Sequence, residues 1–133
     1  DWVRRMHERS AWTTSVCTGS EILGAAGVLK GLKATTHWAS ADRLESFGAT
    51  YQQRRVVKEG KVITAAGVSS GIDMALALVA MVAGDEIAKA IQLGIEYDPA
   101  PPFDSGSVAK ATPETVELVR AVIAARDDPS RRP

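Results

Sequence analysis

The stretch Thr13–Ser20 constrains the fold of this chain most, because a short β-prone run passes there directly into an apolar helical pattern. The only cysteine, Cys17, stands at the junction, and the residues after it, Thr18, Gly19 and Ser20, are small. A sharp strand-to-helix turn tolerates only small neighbours and holds the side chain at its apex above the carboxyl edge of a sheet. The sequence therefore predicts a nucleophile elbow with Cys17 at its apex.

The position of Cys17 also bears on its chemistry. The positive end of a helix dipole favours a thiolate over a neutral thiol, and the thiolate is the reactive form. An isolated cysteine is otherwise a small, inert hydrophobic residue of the core. Placement at the elbow favours the reactive thiolate over the inert core residue, so Cys17 is predicted to be a reactive nucleophile.

Composition limits the class of protein. With 133 residues, of which 45% are apolar and 24% charged, the chain has the balance of an ordinary globular domain. Sixteen basic and sixteen acidic residues cancel, which disfavours a nucleic-acid or anionic-membrane partner. A single cysteine forms no internal disulfide, and the sequence shows no secretory signal and no membrane-spanning apolar run. We expect a cytoplasmic protein.

Helical and β-prone segments alternate in the first half of the chain. The predicted elements are a helix over 1–10, a strand over 12–16, a helix over 20–29, a strand over 33–36 and a helix over 41–47. Short links between the strand over 12–16, its helix and the next strand predict a right-handed parallel crossover. The pattern is that of an α/β protein.

The second half begins with a hairpin predicted over 55–64, with a turn at Gly60. A wholly apolar stretch over 72–83 predicts a buried helix lying on the sheet, with Ser70 and Asp73 as its capping box. Gly84 ends that helix and Asp85 begins the next. There follow a proline-rich irregular arm over 97–107, a last helix opened by Thr112 and Pro113, and a frayed tail over 127–133.

Four blocks of sequence, in order, resemble the ThiJ/PfpI superfamily, which is similar to class I glutamine amidotransferases in fold. They are Ser15–Ser20, Ala34–Trp38, Ile63–Gly67 and Gly71–Asp73, and the arm Gln92–Asp104 resembles the isonitrile hydratase branch. The resemblance implies a flavodoxin-like three-layer α/β sandwich with a mostly parallel sheet. It covers the later part of one family domain, over 1–126, so the N-terminal strands and helices are expected to be missing, together with the family's acidic residue and a second oxyanion amide.

In isonitrile hydratases, the family picture is that a thiolate attacks the terminal isonitrile carbon, a carboxylic acid manages the proton, and water releases an N-substituted formamide. Carried onto this sequence, Cys17 matches the nucleophile and Thr18 the neighbour that contributes its backbone N–H. Many relatives have histidine at that position, so Thr18 disfavours a peptidase-like activity. His37 ends a strand near the elbow and is a candidate substrate-binding residue, although a histidine satisfied by backbone groups explains it equally.

The resemblance implies a small-molecule substrate. No metal-ligand spacing, dinucleotide fingerprint or P-loop is present, so neither a metal nor a cofactor is expected. Glu21 is interpreted as a helix-face charge, Asp73 as a cap, and Asp98 and Asp104 as surface turn residues.

Two alternatives remain open. One is a glyoxalase or deglycase activity on small carbonyl compounds. The other is a non-catalytic, redox-responsive module, such as the sensor half of a transcription regulator, because a thiol without its proton partner oxidises rather than turns over. A sheet without its early strands exposes an apolar edge, so we also expect a homodimer.

Overall fold

A computed structural model describes residues 1–127, which form six helices and five strands. In chain order these are α1 (Trp2–Arg9), β1 (Thr13–Val16), α2 (Gly19–Ala25), β2 (Lys33–Ala34), α3 (Ala41–Ser46), β3 (Thr50–Tyr51), β4 (Val56–Glu59), β5 (Val62–Ala65), α4 (Ser70–Ala83), α5 (Asp85–Gly94) and α6 (Pro113–Asp127). A short 3-10 turn, Trp38–Ser40, precedes α3. The chain divides into two compact units, Asp1–Tyr97 and Asp98–Pro133.

The first unit holds the strands. β5 lies between β1 and β4; it pairs parallel to β1, with Thr13 opposite Val62, and antiparallel to β4, with Glu59 opposite Val62. β2 pairs parallel to β3 in a second, two-stranded sheet. Parallel pairing at two of three contacts and helices between strands confirm the predicted α/β class.

The parallel crossover predicted between the strands at 12–16 and 33–36 is wrong, because these two strands do not pair with each other. β1 hydrogen-bonds with β5, and β2 hydrogen-bonds with β3 across α3. Only Lys33 and Ala34 form the ladder. At the buried Thr35 and Thr36, hydrogen bonds that involve side chains replace it: Thr35 N donates to Thr64 Oγ1 at 2.8 Å. After Ala34, hydrogen bonds that involve threonine side chains therefore replace the main-chain hydrogen bonds of the sheet.

The alternating side chains of β5 supply two cores. Val62 packs with Leu23, Leu29 and Leu44 on the face covered by α2 and α3. Ile63 and Ala65 point the other way and pack with Met74 of α4. Since all four residues of β5 are buried, helices cover both faces of this strand, as a three-layer sandwich requires.

α2 is shorter than predicted. It ends at Ala25 instead of continuing to residue 29, because Gly27 takes a φ of +77°, which an α-helix cannot continue. Gly24 lies against Phe47, the residue that follows α3: a Cβ at this position would stand 2.6 Å from Phe47 Cδ2. The missing side chain sets the distance between these two helices.

α4 departs from its prediction twice. Only Ser70 and Met74 are buried, and the apolar side chains of Ile72, Met81 and Val82 are exposed. The capping box is also wrong, since the N-cap is Ser69 without a side-chain hydrogen bond and Asp73 binds distant partners. Apolar residues on all sides of α4 predicted that the whole helix is buried. Composition alone does not determine whether another element packs against each side.

Predictions based on turn chemistry are confirmed. β4 and β5 form the expected hairpin around Gly60, which has a φ of +57°, and Gly84, at +90°, separates α4 from α5. In the second unit, Thr112 Oγ1 accepts from Thr115 N at 3.3 Å, capping α6 with Pro113 as its first residue. The tail predicted over 127–133 lies outside the described residues beyond Asp127.

Among residues 1–127, every helix is too short or too polar to cross a lipid bilayer.

Candidate active site

Cys17 occupies the strained apex of a strand-to-helix elbow between β1 and α2. Its φ of +57° is in the left-handed region, which costs a residue with a Cβ about 1 to 3 kcal/mol. The surrounding peptide groups hold this conformation: Cys17 N donates to Ala66 O at 2.7 Å and Ala65 O at 3.0 Å. Cys17 as a residue is half-buried. Strain held in place at a reactive side chain is typical of a functional elbow.

The carbonyl of Cys17 is held as firmly as its N–H. Thr36 Oγ1 donates to Cys17 O at 3.0 Å, and Ser20 Oγ donates to the same oxygen at 3.1 Å. Both hydroxyl side chains belong to fully buried residues. The sequence did not predict this role of Thr36. The available signal was a pair of adjacent threonines at the end of a β-prone run, where a second apolar residue is more usual.

Thr18 is the N-cap of α2 and directly follows Cys17. Within residues 1–127, its backbone N–H donates to no backbone acceptor, and its side chain makes no capping hydrogen bond. A free N–H beside a nucleophile can stabilise charge that develops on an attacked substrate. The geometry thus leaves Thr18 able to take the role that the resemblance implies, through its main chain.

His37 lies at the same edge of the sheet as Cys17. It directly follows Thr36, which binds the Cys17 carbonyl, and a Cβ on Gly67 would stand 3.7 Å from His37 Cδ2. The ring caps the 3-10 turn, with Nδ1 accepting from Ala39 N at 3.3 Å, and lies 5.5 Å from the Trp38 ring. His37 Nδ1 therefore has a structural partner, which leaves Nε2 for any contact with a substrate.

The carboxylates of Glu21 and Asp73 are both engaged with other side chains. Glu21 forms an ion pair with Arg43 at 2.8 Å, tying α2 to α3, as a helix-face charge would. Asp73 accepts hydrogen bonds from Arg55 and Tyr97. Burial raises the pKa of Asp73, but these two hydrogen bonds outweigh burial and hold that pKa below its ordinary value. Asp73 is thus a carboxylate and not a proton donor near neutral pH.

An apolar groove lies next to β1, between α1 and α2, with a volume of about 480 Å³. Trp2, Met6 and Ile22 line it and are exposed at 65%, 37% and 62%. In the described part of the chain, β1 is an edge strand, and the buried Ser15 Oγ in the groove has no hydrogen-bond partner. The apolar edge expected beside the elbow is therefore present.

No group of three or more His, Cys, Asp or Glu side chains in residues 1–127 is arranged to hold a metal ion.

Fold and site together define an α/β protein that presents a cysteine at a nucleophile elbow. The chain belongs to the DJ-1/PfpI family, whose model matches residues 1–81. It is similar to isonitrile hydratase from Pseudomonas putida, with 47% identity over 120 residues that cover 90% of this chain and 53% of that protein.

Two further relatives extend the comparison. A crystal structure of a ThiJ/PfpI family protein from Pseudomonas syringae has 43% identity and a TM-score of 0.89, covering 93% of this chain and 51% of that one. The HTH-type transcriptional regulator CdhR from Pseudomonas aeruginosa is 35% identical over 92 residues, 65% of this chain and 26% of that protein. This chain spans about half the length of the hydratase and of the crystallised protein.

Proposed function

We propose that this chain carries the nucleophile of a cysteine-dependent, isonitrile hydratase-like lyase that converts an isonitrile and water into an N-substituted formamide. The observation that carries the proposal is the strained Cys17, held at both its N–H and its carbonyl beside a free N–H of Thr18. The 47% identity to an isonitrile hydratase supports this choice of substrate.

The reaction can be written with all atoms balanced. The thiolate of Cys17 bonds to the terminal isonitrile carbon, that carbon takes one proton, and a thioimidate, R–N=CH–S, results. Water then adds across the C=N bond, its hydroxyl to the carbon and its proton to nitrogen. The carbon–sulfur bond breaks as the hydroxyl group loses its proton, which replaces the proton consumed in the first step, and R–NH–CHO and the thiolate are released. In this proposal Thr18 N–H stabilises charge on the intermediate, and His37 lines the substrate pocket.

Product analysis tests the proposed reaction. Protein containing this chain is incubated with an alkyl isonitrile, and the formamide is identified by mass spectrometry. A parallel reaction with methylglyoxal tests for the alternative enzymatic activity, that of a glyoxalase or deglycase. Formamide production with methylglyoxal untouched is the expected result; the reverse pattern would assign the carbonyl activity instead.

A second candidate function is a redox-responsive regulatory module, and the similarity to a transcriptional regulator favours it. Its chemistry would be two-electron oxidation of the Cys17 thiolate by peroxide, giving sulfenic acid and water. Intact mass after mild peroxide should then increase by one oxygen atom at Cys17. An unmodified mass, under conditions that oxidise a free cysteine peptide, would exclude the sensor.

We also propose that the chain acts in the cytoplasm on a small molecule and forms a homodimer through the groove beside β1. Thr13 and Cys17 direct their N–H groups towards β5, so the peptide groups of Thr14 and Val16 point to the open edge. An unpaired edge beside exposed apolar side chains favours association.

Sedimentation velocity tests this association. We expect a species of twice the 14.1 kDa chain mass, shifted towards monomer by Ile22→Glu in the groove. Ile87→Glu is the matched control, because Ile87 is also exposed on a helix, at 50% against 62%, but lies outside the groove. A stable monomer, or equal sensitivity to both substitutions, would contradict the proposal.

A further inference from the structure

Three side chains form a cluster that the elbow chemistry does not use directly. Asp73, in the first turn of α4, accepts from Tyr97 Oη at 2.6 Å and from Arg55 Nε through its other oxygen. Arg55 Nη2 also donates to Ser69 Oγ at 3.4 Å. Arg55 directly precedes β4 and Tyr97 follows α5, so one carboxylate joins three parts of the first unit.

The main chain of Arg55 connects this cluster to the nucleophile. Arg55 O accepts from Ala66 N at 2.9 Å, and Ala66 O accepts from Cys17 N at 2.7 Å. The path from Asp73 to Cys17 thus consists of one ion pair and two main-chain hydrogen bonds. Any movement of the Arg55 backbone changes the position of the acceptor that holds Cys17 in its strained conformation.

A second contact limits how Arg55 can move. Thr35 Oγ1 donates to Arg54 O at 2.9 Å, and the neighbouring Thr36 holds the Cys17 carbonyl. On the other side, the first turn of α4 touches the elbow strand closely, because a Cβ on Gly71 would lie 3.1 Å from Val16 Cγ1. The bend at Arg54 and Arg55 is therefore held by Thr35 from one side and by Asp73 from the other.

We propose that Asp73 is a positioning residue for Cys17, acting through the side chain of Arg55 and the peptide of Ala66, with Tyr97 orienting the carboxylate. It holds the bend before β4, where Arg55 O accepts from Ala66 N, and the Ala66 peptide in turn presents the acceptor that keeps the elbow strained. The consequence for turnover rests on the proposed function. The consequence for the elbow itself does not.

Amide hydrogen exchange measured by NMR tests the positioning role. Asp73→Asn keeps the size of the side chain but removes the charge that binds Arg55, so exchange of the Cys17 and Ala66 amides should become about tenfold faster. Core amides such as that of Leu44 should keep their rates, which a global loss of stability would not allow. Asp104→Asn breaks an exposed ion pair with Lys110 in the second unit and is the matched control.

The same variants separate this inference from the proposed reaction. With an isonitrile substrate, Asp73→Asn should lower kcat about threefold to tenfold with little change in KM, since the substrate still binds. Absence of formamide from the wild type would overturn the reaction but leave the exchange result interpretable. Unchanged exchange at Cys17 and Ala66 in folded Asp73→Asn would overturn the positioning role.

Tyr97→Phe gives an independent version of the test if Asp73→Asn does not fold. It removes one hydroxyl and one of the hydrogen bonds to Asp73 and should accelerate the same two amides, by a smaller factor. Asp73→Glu keeps the charge and should restore part of the protection. Equal exchange rates in Tyr97→Phe and wild type would count against an oriented carboxylate.

Discussion

Cys17→Ala is expected to abolish formation of the formamide, with a loss of at least about a thousandfold in rate. The reaction that we propose forms and breaks a carbon–sulfur bond, and this chain holds a single sulfur nucleophile of that kind. Alanine pays the same backbone strain as cysteine at a φ of +57°, so the elbow should keep its shape. The measurement is the initial rate of formamide production, with circular dichroism to verify folding.

Cys17→Ser is the sharper control for that experiment. Serine keeps the size and hydrogen-bonding capacity of the side chain, but its hydroxyl is hardly ionised near neutral pH and attacks carbon poorly. Both variants should therefore be inactive while remaining folded. A rate in either variant within tenfold of the wild type would show that Cys17 is not the nucleophile.

Gly24→Ala should destabilise the chain by about 1 to 2 kcal/mol, despite alanine's higher helix propensity. Propensity alone would stabilise α2 by about 1 kcal/mol. The new methyl group would meet Phe47 at Cδ2 and Cγ, at 2.6 and 2.7 Å, and also at Cβ, at 2.9 Å. Because Cβ is attached to the backbone of the residue after α3, a ring rotation cannot relieve the clash, and overpacking costs about 1 to 3 kcal/mol.

Gly94→Ala is the matched control, because Gly94 lies in α5 and a Cβ there meets no atom within 4 Å in the described structure. That substitution should be neutral or stabilising by up to about 1 kcal/mol. Urea unfolding of both variants and the wild type measures the difference in free energy of unfolding. Equal or greater stability of Gly24→Ala would mean that α2 and α3 are not packed as closely as the structure shows.

The candidate site consists of Cys17, which we propose as the nucleophile, and the groups that hold it. Thr36, Ser20 and Ala66 fix the two peptide groups of Cys17, and Thr18 supplies a free N–H. Among the described residues, Glu21 and Asp73 are bound to arginines, so neither is placed to act as the acid that the reaction requires.

Local signals in the sequence predicted the elements that depend on neighbouring residues. The turn at Gly60, the break at Gly84 and the cap formed by Thr112 each require a particular backbone conformation or hydrogen bond within a few residues. Such requirements are visible in one short stretch of chain, and all three are found in the structure. The resemblance to known proteins likewise predicted the family and the α/β class.

Partners distant in sequence could not be predicted in the same way. Asp73 fitted a local cap, but the structure pairs it with Arg55 and Tyr97, which are 18 and 24 residues away. A hydrogen bond between a carboxylate and an arginine is stronger than the hydrogen bond that the same carboxylate would make to a backbone N–H at the start of the helix. Nothing in the spacing of these residues distinguishes the two outcomes.

The sequence by itself determined that a cysteine stands where a strand turns into a helix, because small residues and a change of hydrophobic period are local properties. Only the tertiary structure decided that β1 pairs with β5, that Thr36 binds the Cys17 carbonyl, and that the elbow takes a φ of +57°. The physical reason is that strain at one residue persists only when contacts from several distant elements hold it, and those contacts exist only after the chain has folded.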